Sequence, residues 1–343
     1  MIELNRNNIE ILKENLSIPQ KIAVIMHPNP DGDTIGASIA WSLILKKLGH
    51  NVMTISVDPL PYDMLWLPGV SDVVIFERKH ALVNEFLSLA KTTFCIDFNT
   101  PKRLNNLEKA IRESKSTKVL IDHHLMPDAE FFDLMFSEIN ISSTSELLFI
   151  LLKEMGYSSL IDKDIANNIF IGIMTDTGSF SYSCNSPETF ENTAQLIRFG
   201  LNVKEVHDKI YNDNPEDRLR LMGFSINEKL IVKNEHFSSY ISLTKEELKM
   251  FNEKPGFTEG LVNLALSVEG VQFAVMMTEK NDYIKFSFRS KGNFDVNMVA
   301  REFFNGGGHK NASGGKLYIT MKEAISLVEK VMLEKVAPSF QKN

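Results

Sequence analysis

Two cysteines, Cys95 and Cys184, are all that this 343-residue chain contains. Two thiols so far apart in sequence make neither a disulfide framework nor a spaced zinc-thiolate motif, which excludes both as the organising principle of the fold. Cys95 lies in an apolar run and is expected to be a buried free thiol. Long apolar runs are also missing. The densest, LLFILL at 147–152, falls far short of the roughly 18 residues that a membrane-spanning helix requires and reads as the core of an amphipathic helix. The opening segment, MIELNRNNIEILKENL, mixes charged and apolar residues at helical spacing, so it is expected to be a helix and not a secretory leader. Excess positive charge is absent as well: 37 Lys and Arg stand against 44 Asp and Glu, a net charge of -7. Proteins that hold long nucleic acid usually carry a basic surface, so extended duplex is not an expected partner. Together these features point to a globular protein of the reducing cytoplasm with no membrane partner.

Periodicity then divides the chain. In the first half, apolar strand-like runs at 21–27 (KIAVIMH), 51–56 (NVMTIS), 92–98 (TTFCIDF) and 117–124 (TKVLIDHH) alternate with helical segments, among them 34–49, 143–156 and 162–180. Such alternation predicts an α/β domain, a parallel sheet with helices on both faces. The helix at 143–156 opens with Ser143 or Thr144 followed by Glu146, a capping-box-like start. From about 191 to 230 the pattern is helical and charged, and is expected to be a connector. Beyond it, strand-like runs at 236–244, 271–280 and 283–290 and short helices predict a smaller mixed α/β domain containing GGGHKNASGG (306–315). The expected boundaries are 1–190, 191–230 and 231–343.

Chemistry concentrates where apolar runs end. HPNPDGDTIGA (27–37) brings His27, Asp31 and Asp33 into one strand-to-helix loop, with Gly32 expected to allow a tight turn. Asp97 ends the run FCID. Asp122, His123 and His124 follow VLI, and Asp176 ends IMTD. One acid after a strand is usually a turn or a cap. In an open parallel sheet, however, the carboxyl ends of the strands share one edge, where ligands bind, and several acids gathered there repel one another unless a cation intervenes. A capping Asp accounts for Asp33 alone, not for His27 and Asp31. Carboxylates with a few imidazoles suit manganese or magnesium. Asp31, Asp33, Asp97, Asp176, His27 and His123 are too many ligands for one ion that must leave room for substrate, but they suit two ions with a shared carboxylate. In the second domain, consecutive glycines can present backbone N–H groups to an anion, and Arg289 can grip a phosphate bidentately.

These motifs, HPNPDGD, Asp97, the DHH triplet at 122–124, Asp176 and the terminal GGGHKNASGG, resemble in order and spacing those of the DHH phosphoesterases, over nearly the whole chain. The length is most similar to the group acting as nano-RNase (oligoribonuclease) and 3′-phosphoadenosine 5′-phosphate (pAp) phosphatase. The resemblance implies that His27 and Asp31 hold one divalent cation, that Asp33, His123 and Asp176 hold the other, and that Asp97 bridges them. Manganese is the first choice of ion and magnesium the second. It further implies that Asp122 orients a ligand imidazole and that His124 meets the scissile phosphate or moves a proton. Arg289, Ser290, His309 and the amides of Gly306, Gly307 and Gly308 would hold a substrate phosphate. The implied substrates are short oligoribonucleotides or pAp. Linear or cyclic dinucleotides, polyphosphate or pyrophosphate are alternatives within the same chemistry, and a non-catalytic nucleotide-binding regulator is one outside it. Completeness of the ligand set speaks against the regulator. A homodimer paired through an edge strand is left open.

Overall fold

The computed structural model describes residue 2, residues 4–181, residue 184 and residues 186–341. Met1 and Glu3 of the N-terminal segment, and Tyr182, Ser183 and Asn185 near the end of the first expected domain, lie outside that set. The chain forms two compact units that divide between Asp213 and Asn214. The stretch expected as a separate connector is therefore shared: its first helices belong to one unit and its last helix to the other.

The first unit contains strands β1 (Lys21–Met26), β2 (Asn51–Ser56), β3 (Val73–Ile75), β4 (Thr92–Ile96), β5 (Thr117–Asp122) and β6 (Leu134–Ser137). Its helices are α1 (Arg6–Asn15), α2 (Gly32–Lys47), α3 (His80–Leu89), α4 (Glu108–Glu113), α5 (Thr144–Glu154), α6 (Lys163–Asp176), α7 (Pro187–Arg198) and α8 (Val203–His207). The strands form one sheet in the order β3-β2-β1-β4-β5-β6, and every pairing is parallel. Alternation of side chains along each strand divides the core in two. Ile22, Val24 and Met26 of β1 face a layer containing residues of α2, α5 and α6, whereas Ala23 and Ile25 face one containing residues of α3 and α4. Burial on both faces explains why the strands read as continuous apolar runs without polar alternation. Two strands of this unit escaped the sequence reading. β3 and β6 are the edges of the sheet and are only three and four residues long, too short for a periodic signal.

The strand order reverses between β1 and β4. Connections leave these two neighbouring strands toward opposite sides, which opens a crevice beyond their carboxyl ends. α2 and α6 pack closely beside it. A Cβ at Gly36 of α2 would lie 2.2 Å from the backbone oxygen of Asn168 in α6, so glycine is required for that approach.

The second unit holds α9 (Glu216–Phe224), β7 (Leu230–Lys233), β8 (Ser238–Leu243), α10 (Lys245–Met250), α11 (Leu261–Leu266), β9 (Phe273–Glu279), β10 (Ile284–Ser290), α12 (Val296–Phe303), β11 (Gly307–Gly308), β12 (Ala312–Leu317), α13 (Met321–Val331) and α14 (Ala337–Phe340). Its sheet runs β11-β12-β10-β9-β8-β7 and is mixed: β8 pairs with β9 in parallel and the other pairings are antiparallel. Phe273, Phe286, Phe288 and Phe304 form the centre of its core, with α12 and α13 closing over them. The glycine-rich segment, expected to present its amides to an anion, supplies two strands of this sheet.

Replacing Gly36 by Ala is expected to lower stability by about 1–3 kcal/mol, the usual cost of overpacking. Gly223→Ala in α9, where a Cβ meets nothing within 4 Å, is expected to leave the melting temperature unchanged or slightly raised. Thermal melts of the two variants against the parent distinguish a packing requirement from a general intolerance of alanine.

Candidate metal centre

His27 follows the last residue of β1, Asp97 follows the last residue of β4, and Asp122 is the last residue of β5. The three therefore lie along one edge of the sheet, beside the point where the strand order reverses. Asp31 and Asp33 arrive on the N-terminus of α2 and Asp176 on the C-terminal residue of α6. Parallel topology brings together five segments that are up to 149 residues apart in sequence, from His27 to Asp176.

The acids and imidazoles form two groups around Asp97. His27 Nε2 stands 3.7 Å from Asp31 Oδ1 and 3.3 Å from Asp97 Oδ2. His123 Nε2 stands 3.5 Å from Asp97 Oδ1, 3.4 Å from Asp176 Oδ2 and 3.9 Å from Asp33 Oδ2. The two oxygens of Asp97 thus face different imidazoles. Its backbone takes a left-handed conformation, φ 65°, which aspartate tolerates better than most side chains and which often marks a functional position. Asp33 and Asp97 are almost completely buried.

Electrostatics follow from that burial. Burial alone would depress the pKa of His27, yet the carboxylates of Asp31 and Asp97 outweigh it and push the value up to about 10. His123 is raised in the same way, against burial, to about 9 by Asp176, Asp97 and Asp33. Asp97 resists its burial and is held well below the usual carboxylate range by His27 and the neighbouring imidazoles. Asp33 moves the other way: burial and then the charges of Asp97 and Asp176 raise it well above that range. An apolar pocket holding this many carboxylates calls for more positive charge than two imidazolium rings supply.

The donor set fits divalent cations. His27 Nδ1 lies 2.9 Å from the carbonyl oxygen of Pro28; a carbonyl only accepts, so this nitrogen carries a proton, and Nε2 is the nitrogen that would give up its own proton to a metal. Asp33 accepts the backbone N–H groups of Thr144 (2.7 Å) and Ser145 (2.8 Å), and Asp97 Oδ1 accepts the hydroxyl of Thr144 (2.8 Å). Each carboxylate is thereby oriented while retaining free lone pairs.

Several expectations need correction. The cap of α2 is Asp31, which accepts the N–H groups of Asp33 and Thr34; Asp33 lies in the first helical turn. Gly32 is itself helical, and its missing side chain makes room for Thr175, whose Oγ1 would sit 2.4 Å from a Cβ. Asp122, expected to orient a ligand imidazole, is paired with His124, which is not one of the expected ligands. Its Oδ1 accepts from His124 Nδ1 at 2.7 Å. In the second unit two amides of the expected anion nest are already engaged: that of Gly306 donates to the carbonyl of Ala300 and that of Gly308 to Asn297 Oδ1. These glycines serve close approach, since a Cβ at Gly306 would lie 1.9 Å from the carbonyl oxygen of Gly314. Ser290 is buried, donates to the carbonyl of Phe294 and accepts from Asn311, so its hydroxyl is engaged in holding the loop. Arg289, on the opposite face of β10, and His309, in the turn between β11 and β12, are both half-buried.

Sequence comparison finds a known domain family in each unit. Residues 21–173 match the N-terminal domain of the DHH family, and residues 247–334 match the DHHA1 domain. The chain belongs to the DHH family of phosphoesterases. A solved exopolyphosphatase-related protein from Bacteroides fragilis is 37% identical to this DHH chain, each covering 100% of the other, with a TM-score of 0.92. The bifunctional oligoribonuclease and PAP phosphatase NrnA of Bacillus subtilis is 26% identical over 311 residues, covering 90% of the chain and 92% of the relative. Its namesake from Thermus thermophilus is 26% identical over 308 residues, covering 90% and 86%. No described helix is long and apolar enough to cross a membrane.

The raised imidazoles set a pH dependence for the metal-free protein. A pKa above the unfolded value contributes stability that is complete below about pH 6.5 and is lost as pH rises through the folded value; for His27 and His123 that window ends at about 10 and about 9. Asp33, also raised, acts in the same direction. In chelator-treated protein the melting temperature is therefore expected to fall between pH 7 and pH 10, and His27→Gln together with His123→Gln is expected to flatten the decline. A flat profile in the parent would show that the imidazoles are not paired with these acids.

Proposed function

We propose that this protein hydrolyses the phosphoester bonds of short oligoribonucleotides and of pAp with two divalent cations, manganese in first place and magnesium in second. His27 and Asp31 would hold one ion, Asp33, His123 and Asp176 the other, and Asp97 both. The single observation carrying this reading is the placement of Asp97, whose Oδ2 faces His27 at 3.3 Å and whose Oδ1 faces His123 at 3.5 Å. When bound, such a pair of cations supplies charge neutralisation of the phosphoryl oxygens and lowers the pKa of water enough for attack at neutral pH.

The remaining steps fall to side chains. Hydrolysis forms a P–O bond to the water oxygen, which gives up a proton, and breaks the P–O bond to the leaving oxygen, which gains one. His124, held by Asp122 through Nδ1, turns its other ring nitrogen, Nε2, to proton transfer and is suited to deliver it. Buried Asp33 and Asp97, fixed by Thr144 and Ser145, keep the acids from relaxing toward solvent, so little reorganisation is needed during the reaction. In the second unit, Arg289 and His309 are the proposed phosphate contacts. The choice of short RNA and pAp rests on the NrnA relatives, which the chain matches over most of their length. The acidic net charge of -7 supports a small substrate over a polymer, since long nucleic acid demands many cationic contacts. Both cysteines are free and buried, which suits a reducing cytoplasm.

Turnover assays with Mn2+ on pAp, a diribonucleotide, a 24-nucleotide RNA and polyphosphate test the proposal. Release from pAp and the dinucleotide is expected, and Asp97→Ala should lower it by at least about 100-fold, on the scale of losing a group central to transition-state stabilisation. Activity confined to polyphosphate would replace the substrate class, whereas near-normal turnover by Asp97→Ala would remove the shared-ligand chemistry. Asp122→Asn is expected to lower kcat and leave Mn2+ affinity nearly unchanged, because Asp122 holds His124 and no proposed ligand.

A further inference from the structure

Glu146 is a buried carboxylate, 2% exposed, that neither the metal centre nor the local capping signal uses. In a complete capping box its side chain would reach back to the N–H of Ser143. Only half of that box is present. Ser143 Oγ accepts the N–H of Glu146 at 3.0 Å, while the Glu146 carboxylate turns toward α7. Its Oε1 accepts Asn192 Nδ2 at 2.8 Å. Its Oε2 accepts the hydroxyls of Ser142 at 2.5 Å and of Thr189 at 3.0 Å, with the Ser142 N–H more distant at 3.4 Å. Asn192 is held in turn by Lys153, whose Nζ donates to its Oδ1 at 2.7 Å. For packing α5 against α7, an apolar side chain of similar size would be no worse, because a buried carboxylate bears a large desolvation cost. What the carboxylate adds is direction: it ties Ser142, at the start of the turn, to two residues of α7.

The residues of that turn hold the metal centre. Thr144 N–H and Ser145 N–H reach the two oxygens of Asp33 at 2.7 and 2.8 Å, and Thr144 Oγ1 reaches Asp97 Oδ1 at 2.8 Å. There is no room for drift on the far side. A Cβ at Gly172 of α6 would lie 1.9 Å from Ser145 Oγ and 2.6 Å from Asp33 Oδ1. The turn at 142–146 is thus clamped by Glu146 on one side and by α6 on the other. We propose that Glu146 is a positioning residue for the metal centre: by latching Ser142 to Thr189 and Asn192 it fixes the turn through which Thr144 and Ser145 orient Asp33 and Asp97. The proposal rests on the two-cation reading of the site.

The test is direct titration of the full-length protein with MnCl2, by calorimetry, in the parent, Glu146→Gln, Glu146→Ala, Thr144→Val and the double variant Glu146→Ala/Thr144→Val, with circular dichroism melts for each. Groups that orient metal ligands typically affect affinity by about 10–100-fold. Glu146→Ala and Thr144→Val are each expected to weaken Mn2+ binding within that range, with Glu146→Gln recovering part of the loss through its remaining acceptor. Because both residues act through one turn, the double variant should bind about as weakly as the worse single variant. Parental Mn2+ affinity in Glu146→Ala, or losses that multiply in the double variant, would overturn the proposal even where melting temperatures fall. If Glu146→Ala does not fold, Glu146→Gln and Thr189→Val carry the same comparison. Absence of Mn2+ binding by the parent would instead overturn the two-cation reading and, with it, this role for Glu146.

Discussion

Repulsion among buried carboxylates at the carboxyl edge of the first sheet is the constraint on which the rest of this unit depends. Asp33, Asp97 and Asp122 are nearly inaccessible, and Asp176 stands within 3.4 Å of His123. Such a group would be expelled to solvent or neutralised in an ordinary core. Here it is retained because imidazoles, backbone amides and a hydroxyl from other elements meet the oxygens of Asp33 and Asp97 and Oδ1 of Asp122. Those contacts still leave a deficit of positive charge, as the elevated Asp33 shows. The proposed cation pair would fill it, and the same charge would then serve phosphoester chemistry.

The fold supplies the geometry that makes the cluster tolerable. A strand order of β3-β2-β1-β4-β5-β6 sends the connections after β1 and β4 apart, leaving an opening that polar side chains can occupy without displacing apolar core. α2 and α5 then direct their N-termini at it, where exposed N–H groups favour negative charge. Asp31 caps one of these helices, and Asp33 receives the amides of the other. The site is therefore assembled from ordinary helix-end chemistry repeated at one place. Its glycines keep helices close: Gly36 and Gly172 each face an atom that a methyl group would overlap.

Much of the site was legible because its residues follow apolar runs. His27, Asp97 and Asp122 sit where β1, β4 and β5 stop, and a side chain at a strand end is marked by the break in hydrophobicity before it. The loops around 142–146 were less legible. Ser143 and Glu146 carry a familiar local meaning, helix capping, and the distant partners Thr189 and Asn192 leave no periodic trace that would redirect Glu146 away from it. The glycine-rich segment misled for a related reason. Three consecutive glycines read equally as an exposed nest or as closely packed strand, and only the positions of Ala300, Asn297 and Gly314 decide which.

By itself, the sequence determined which residue types reach the ends of which elements, and hence the α/β class and the family. These properties are local: they depend on periodicity of 2 or 3.6 residues and on the character of the side chain at each break. Tertiary structure decided the pairings. It set Asp122 against His124, split the expected connector at Asp213, spent the amides of Gly306 and Gly308 on α12, and turned Glu146 from its own helix toward α7. A buried polar atom takes the partner that lies within about 3 Å of it in space, and that partner is chosen by how helices and strands pack, not by distance along the chain.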